Sequence, residues 1–353
     1  MNTIIDKRFN QTRLKPARLG FLGVGWIGRN RMEAILRSNL AEAVAVADPS
    51  EAMASEALRL APDAKIVTDL DALLSLDLDG IVIATPSALH AEQSIRALQT
   101  GVAVFCQKPL GRSATEAAAV VAAARSANKL LGVDLSYRHT IGMQRIRDLI
   151  RRGELGKIFA ADLVFHNAYG PDKSWFYDKS LSGGGCVIDL GVHLIDMALW
   201  CLDFPQVAEI TSTLMKAGEF IDRLEDVEDF AVATITLANG AVLRLTCSWR
   251  LQAGCDAVIS ADFFGTAGGA SFKNVGGSFY DFAAQRLRGT ATESLTEPPD
   301  DWGGRAAVDW AARLAGGQPY DPACERLVDL AKIIEDIYGS AKLTSITPET
   351  GPI

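Results

Sequence analysis

The spacing of apolar positions along this chain changes near residue 140. From about Ala17 to Arg138, short β-branched runs alternate with Ala/Leu-rich amphipathic stretches. The runs predict strands over Arg18–Gly23, Ala43–Asp48, Lys65–Thr68, Gly80–Thr85, Ala103–Cys106 and Leu131–Asp134. The stretches between them predict helices over Ile27–Ser38, Ser50–Leu60, Leu70–Ser75, Ala88–Thr100 and Ser113–Ala127. Uniformly apolar strands separated by helices indicate a parallel sheet, because the crossover helices cover both of its faces. After a helix near Ile141–Arg152 the alternation shortens to two residues, over Phe159–His166, Val207–Lys216, Phe230–Leu237, Val242–Arg250 and Ala257–Phe264. Asn239-Gly240 supplies a tight hairpin turn between two of these runs. One helix, Gly185–Cys201, interrupts the strands, and another closes the chain near Ala323–Ser340. Residues 287–320, rich in Gly, Pro, Thr and Asp, predict an extended surface excursion. The expected architecture is α/β followed by α+β. A doubly wound parallel sheet occupies 1–140, and a largely antiparallel open sheet with helices occupies 141–353. The last helix, 323–340, is placed to pack back on the first unit.

Composition narrows the partners. The chain has 353 residues, two domains' worth at about 150 each. Apolar residues make up 48% and charged residues 22%, enough to bury large cores without staples. Lys and Arg total 35 against 43 Asp and Glu, a net charge of −8 with no basic run, which argues against nucleic acid as a partner. No apolar segment comes near the roughly 20 residues of a bilayer span, so no membrane is expected either. The opening MNTIIDKRFNQTRLK has no apolar core and does not read as a signal peptide. Six scattered cysteines without a CxxC pair read as buried, reduced thiols of a cytoplasmic protein. The four histidines, His90, His139, His166 and His193, have no metal-ligand spacing, so no metal is expected.

The first predicted strand runs into Gly23-Val24-Gly25-Trp26-Ile27-Gly28, a G-x-G-x-x-G sequence followed by a helix. Gly23 permits a tight turn, Gly25 lets a pyrophosphate approach the backbone, and Gly28 lets helix and strand pack closely. The amides at Trp26 and Ile27, at the helix N-terminus, are free to face phosphates. Asp48 ends the next strand, where a carboxylate bonds a ribose 2′-hydroxyl. No Lys or Arg lies between Arg37 and Arg59 to neutralise a 2′-phosphate, so NAD is expected over NADP. Asp48-Pro49-Ser50 could also cap the following helix.

Four motifs in order make the chain resemble the Gfo/Idh/MocA oxidoreductases, the glucose–fructose oxidoreductase and inositol dehydrogenase group. Gly23–Gly28 is the fingerprint. Thr85-Pro86-Ser87-Ala88-Leu89-His90 is similar to the family's TP-x-x-x-H segment. Gln107-Lys108-Pro109 stands where E-K-P is usual, and Gly183-Gly184-Gly185 with Asp189 and His193 matches G-G-G-x-x-x-D-x-x-x-H. The resemblance spans nearly the whole chain. It implies a Rossmann domain, bound NAD, and hydride transfer to or from a secondary hydroxyl of a sugar, cyclitol or sugar derivative. Thr85, Pro86, Ser87, His90, Gln107 and Lys108 would then adjoin the cofactor. Lys108 and His193 would bracket the reacting oxygen, with His193 taking the proton and Lys108 polarising the oxygen. Asp189, one helical turn from His193, would bond substrate or orient the imidazole, with Asp196 a rival orienter.

Elementary chemistry agrees with that set. Oxidising a carbinol needs a proton acceptor and a donor to the developing alkoxide, and Lys, His and a carboxylate supply both. Gln107 departs from the usual Glu, which removes a negative neighbour and should favour the neutral amine of Lys108. Weaker substrate candidates are Tyr137, Arg138, His166 and Trp175, with ion pairing the alternative for Arg138. Two other functions fit the pattern: a glycoside-processing enzyme that recycles its NAD, and a non-catalytic dinucleotide-sensing regulator. An open sheet with helices on one face also predicts a homodimer or homotetramer built through the second sheet.

Overall fold

A computed structural model describes residues 15–341 except 222 and 224. The basic opening segment lies outside the described residues. The first sheet takes β1 (Ala17–Leu22), α1 (Trp26–Arg37), β2 (Ala41–Ala47), α2 (Glu51–Leu58), β3 (Lys65–Ile66), α3 (Leu70–Leu74), β4 (Gly80–Ile83), α4 (Ser87–Gln99), β5 (Ala103–Cys106), α5 (Ala114–Ala127) and β6 (Leu131–Val133). Its strands are parallel in the order β3-β2-β1-β4-β5-β6, so the winding reverses between β1 and β4. That reversal opens a crevice at the carboxyl ends of the strands. Helix starts follow local chemistry: Ser50, Asp69 and Ser113 each accept a backbone N–H at the N-terminus of α2, α3 and α5.

The second unit contains α6 (Ile141–Arg151), β7 (Ile158–Asn167), α7 (Lys179–Ser182), α8 (Val192–Cys201), β8 (Val207–Lys216), β9 (Glu219–Phe220), β10 (Phe230–Leu237), β11 (Val242–Ser248), β12 (Ala257–Gly265), β13 (Gly268–Asn274), β14 (Phe282–Arg288) and β15 (Ala291–Thr296). Its sheet runs β15-β14-β13-β12-β7-β11-β10-β8-β9 and is antiparallel except where β7 and β11 pair parallel. The inner face of this sheet packs on α6 and α8 through Leu163, Phe165, Leu243, Leu245 and Phe263. Its outer face carries cross-strand rows such as Val232–Thr246–Val164, and the Arg244 guanidinium grips Asp162 at 2.5 and 2.6 Å.

The structure corrects the reading of residues 287–320. They include the end of β14, all of β15 and a helix, α9 (Arg305–Ala315). This helix leaves the second sheet and docks on the first. Trp310 is 2% exposed and packs on Phe105, and a Cβ at Gly80 or Gly132 would lie 2.7 Å from its ring. Asp300 holds the approach to α9 by accepting from Ile141 N (3.0 Å), Gly142 N (2.7 Å) and the Arg305 guanidinium (2.8 Å). The closing helix, α10 (Arg326–Ser340), lies between α5 and β8 and contributes to the cores of both sheets.

A second correction concerns 179–201. That segment is long and apolar enough to cross a bilayer, contrary to the sequence reading, yet 83% of its most apolar window is buried. It is a core element here. The expected helix is also interrupted: Val187–Gly191 forms a π-type turn, with Val192 N bonding back to Val187 O, before α8 begins.

Candidate active site

The fingerprint loop separates its glycines by role. Gly23 has φ +80°, and a Cβ there would sit 2.6 Å from Ala84 O; at Gly28 it would sit 2.1 Å from Gly23 O. These two serve the protein's own packing. Gly25, the residue before α1, has φ −60° and open space within 4 Å of a Cβ, so its freedom from a side chain serves something outside the chain. The first turn of α1 has no side-chain cap and no acidic residue, which leaves its amides to an anion. The cradle therefore fits a dinucleotide pyrophosphate. Trp26 is 58% exposed beside it and meets Tyr280 edge-on, and Tyr280 stacks on Trp302.

Asp48 closes the loop and braces Ser50, the N-cap residue of α2: Oδ2 accepts from Val24 N and Oδ1 from Ser50 N, each at 2.8 Å. Sequence reading around Asp48 missed one cation. Arg29, from α1, donates to Val24 O and reaches Met53 Sδ, so a guanidinium does stand near this corner. A search by sequence proximity cannot see it, because a helix brings it in.

Lys108 follows β5, and its Nζ donates to Asp189 Oδ1 (2.6 Å) and Asp189 O (2.8 Å). The second carboxylate oxygen of Asp189 accepts Trp249 Nε1 at 3.0 Å. Lys108 thus has a carboxylate neighbour after all, supplied from the π-type turn and not from position 107. The Asp189 carboxylate is bonded to Lys108 and Trp249, not to His193. Asp196 does not orient His193 either: it is buried and grips Arg138 through two hydrogen bonds, one of 2.6 Å. His193 stands edge-on to Tyr137 at 5.1 Å, and its buried Nδ1 has no partner among the described residues. Burial, then the charges of Lys108 and Arg31, hold the imidazole well below its usual pKa. These causes favour its neutral form.

The three-glycine run serves internal packing. Cβ atoms at Gly184 and Gly185 would collide with Tyr338 and with Glu228 O, at 2.1 and 1.9 Å. Glu228, fully buried, accepts from Gly185 N, Val187 N and the Tyr338 hydroxyl, each at 2.9 Å. Burial raises its carboxyl pKa. This anchor fixes the turn that presents Asp189, and nothing in the sequence around Glu228 signalled it.

The remaining candidates are dispersed. His90 is buried, with ring nitrogens 2.7 Å from Pro109 O and 2.7 Å from Thr85 O, so it braces the loops after β4 and β5 from beneath. Thr85 bonds Gln93, and Pro86 and Ser87 open α4. Tyr137 is buried among Phe165, Phe282, Trp302 and His193, and Arg138 is committed to Asp196. His166 bonds Ser248 and stacks on Phe230. Period-two alternation puts it with Asp162 and Val164 on the outer face of the sheet. Trp175 stacks on Phe176, which meets Trp249 edge-on, so this wall leads back to Asp189. Among the described residues no His/Cys/Asp/Glu cluster suits a metal ion.

The chain is similar to known proteins over most of its length. Residues 17–135 match the model described as an oxidoreductase family with an NAD-binding Rossmann fold, and residues 143–271 match the GFO/IDH/MocA C-terminal domain. A protein of Amycolatopsis mediterranei, named as a candidate UDP-kanosamine synthase oxidoreductase subunit, is 30% identical over 92% of this chain and 96% of its own length. D-glucoside 3-dehydrogenase of Escherichia coli is 28% identical over 72% of this chain and 77% of its own. In fold, levoglucosan dehydrogenase in complex with NADH superposes with a TM-score of 0.79 at 23% identity, covering 93% of this chain and 97% of that one. KijD10, a 3-ketoreductase of Actinomadura kijaniata in complex with NADP, gives 0.80 at 23% identity, covering 93% and 98%. With a dinucleotide cradle on one sheet and a Lys–Asp pair beside a neutral histidine at its edge, the chain belongs to the GFO/IDH/MocA family of NAD-binding oxidoreductases.

Proposed function

We propose that this protein transfers a hydride between NAD(H) and a secondary hydroxyl or ketone of a sugar, cyclitol or sugar derivative. The observation that carries the reading is Lys108 Nζ held 2.6 Å from Asp189 beside a neutral His193 with an unpartnered Nδ1. Bound NAD supplies the hydride acceptor. In oxidation, His193 takes the hydroxyl proton while Lys108 donates to the oxygen and stabilises its developing charge. Asp189 holds Lys108 in place through two contacts, and Trp249 fixes Asp189 in turn. The aromatic wall of Trp175, Phe176 and Trp249 offers apolar ring faces to a sugar. Relatives named D-glucoside 3-dehydrogenase and inositol 2-dehydrogenase support a polyol substrate.

NAD is preferred over NADP, because Asp48 repels a 2′-phosphate and Arg29 is engaged with Val24 O and Met53 Sδ. A panel of sugars, cyclitols and uronates with each cofactor, read at 340 nm, tests both statements. The expected result is net NADH formation with at least one polyol and a kcat/KM at least about tenfold higher with NAD. Turnover without net NADH would point to a recycled cofactor, and no turnover with any member would oppose the enzyme reading.

The outer face of the second sheet, with its Val/Thr rows, is the proposed contact of a homodimer or homotetramer. Light scattering after size exclusion should give a multiple of the 353-residue mass, and a monomer mass would reject the contact. The unlinked thiols, five of them buried, suit a reducing cytoplasm.

A further inference from the structure

The Gln at position 107 has a counterpart one strand away. Asp134 follows β6 and its N–H donates to Cys106 O at 3.0 Å, so Gln107 and Asp134 leave neighbouring strand ends side by side. Gln107 Nε2 donates to Asp134 Oδ2 at 2.7 Å, and the same oxygen accepts Arg31 Nε at 2.6 Å from α1. Arg31 and Asp134 are each 1% exposed and Gln107 is 7% exposed. Asp134 Oδ1 is buried with no partner. A buried ion pair is a poor source of stability, since desolvating both charges offsets most of their attraction. One carboxylate oxygen left unsatisfied worsens that balance. The trio sits at the carboxyl edge of the sheet, beside Lys108, where stability alone does not account for it.

An amide can present either its donor or its acceptor end, whereas an ionised carboxylate only accepts. Asp134 therefore fixes the Gln107 NH2 toward itself and leaves Oε1 as the free end, to which no described residue donates. We propose that Arg31 and Asp134 form a buried clamp that orients the Gln107 amide, so that its carbonyl oxygen is the acceptor offered to the nicotinamide half of the dinucleotide. Asp134 is then a positioning residue acting through Gln107, an inference that rests on the dinucleotide reading above. In this chain the carboxylate beside position 107 stands at the end of the next strand. A Glu at 107 would set two carboxylates against a single guanidinium, so Gln107 and Asp134 are a matched pair.

An exchange experiment tests the pairing. NADH is titrated by its fluorescence onto the wild-type protein, Gln107→Glu, Gln107→Leu and the double variant Gln107→Glu/Asp134→Asn, with thermal melting as the folding control. Gln107→Glu should weaken NADH binding by at least about tenfold. Gln107→Leu should weaken it similarly while still melting cooperatively at a somewhat lower temperature, because the Arg31–Asp134 pair is intact, and it carries the comparison if Gln107→Glu does not fold. The double variant keeps one cation, one carboxylate and one amide in the trio, and should return the Kd to within about threefold of wild type. Wild-type affinity in the single variants, or a double variant that binds no better than they do, would overturn the clamp alone. A wild-type protein with no measurable NADH affinity would overturn the dinucleotide reading and the clamp with it.

Discussion

Replacing Lys108 by alanine should lower kcat on the responsive substrate by at least about a hundredfold, or about 2.7 kcal/mol of transition-state stabilisation. Among the described residues Lys108 Nζ is the one cation bonded to Asp189, 2.6 Å from Oδ1. On the proposed mechanism its removal takes away the donor to the developing alkoxide, which matters more in the transition state than in the bound substrate. The Lys108–Asp189 pair is only partly buried, and Asp189 keeps Trp249 as a donor, so the fold should survive. NADH affinity, measured by fluorescence, should stay within about fivefold of wild type, because the cradle at Gly25 is untouched. A kcat near that of wild type would remove Lys108 from the chemistry.

Trp310→Ala should cost about 3–5 kcal/mol of stability, read from urea unfolding or as a lower melting temperature. The indole fills a slot whose walls are backbone at Gly80 and Gly132, and it rests on Phe105. Glycines have no side chain to move into the space, so collapse of the cavity is limited and a large-to-small penalty is expected. Adding Gly132→Ala should be less harmful in this background than in wild type, where the new Cβ would sit 2.7 Å from the ring. A loss below about 1 kcal/mol would show that α9 contributes little to holding the two sheets together.

Much of this was legible in advance. The six strands of the first sheet fall within a few residues of their expected spans, and for β1, β4 and β5 the reason is that buried parallel strands write mostly apolar runs that helices bracket. The period-two strands β7, β8, β10, β11 and β12 were equally plain. β13, β14 and α9 were not. Gly268-Gly269 opens one, Arg286 and Arg288 break the alternation of another, and α9 buries Ala306, Ala307 and Ala311, which carry little hydrophobic signal. Its one strong anchor, Trp310, is meaningful only against Gly80 and Gly132, on strands far earlier in the chain.

The sequence by itself determined the class of fold, the phosphate cradle and the small set of groups able to move a proton, because each depends on local spacing or on a scarce residue type. Tertiary structure decided what those groups face. It turned Asp189 toward Lys108 through a π-type turn pinned by Glu228, sent His166 to the far side of its sheet and committed Asp196 to Arg138. It also brought Arg31, Asp134 and Gln107 together across more than a hundred residues of chain. Contacts of that kind depend on which strand ends are neighbours and how a helix is rotated, and no local pattern encodes either.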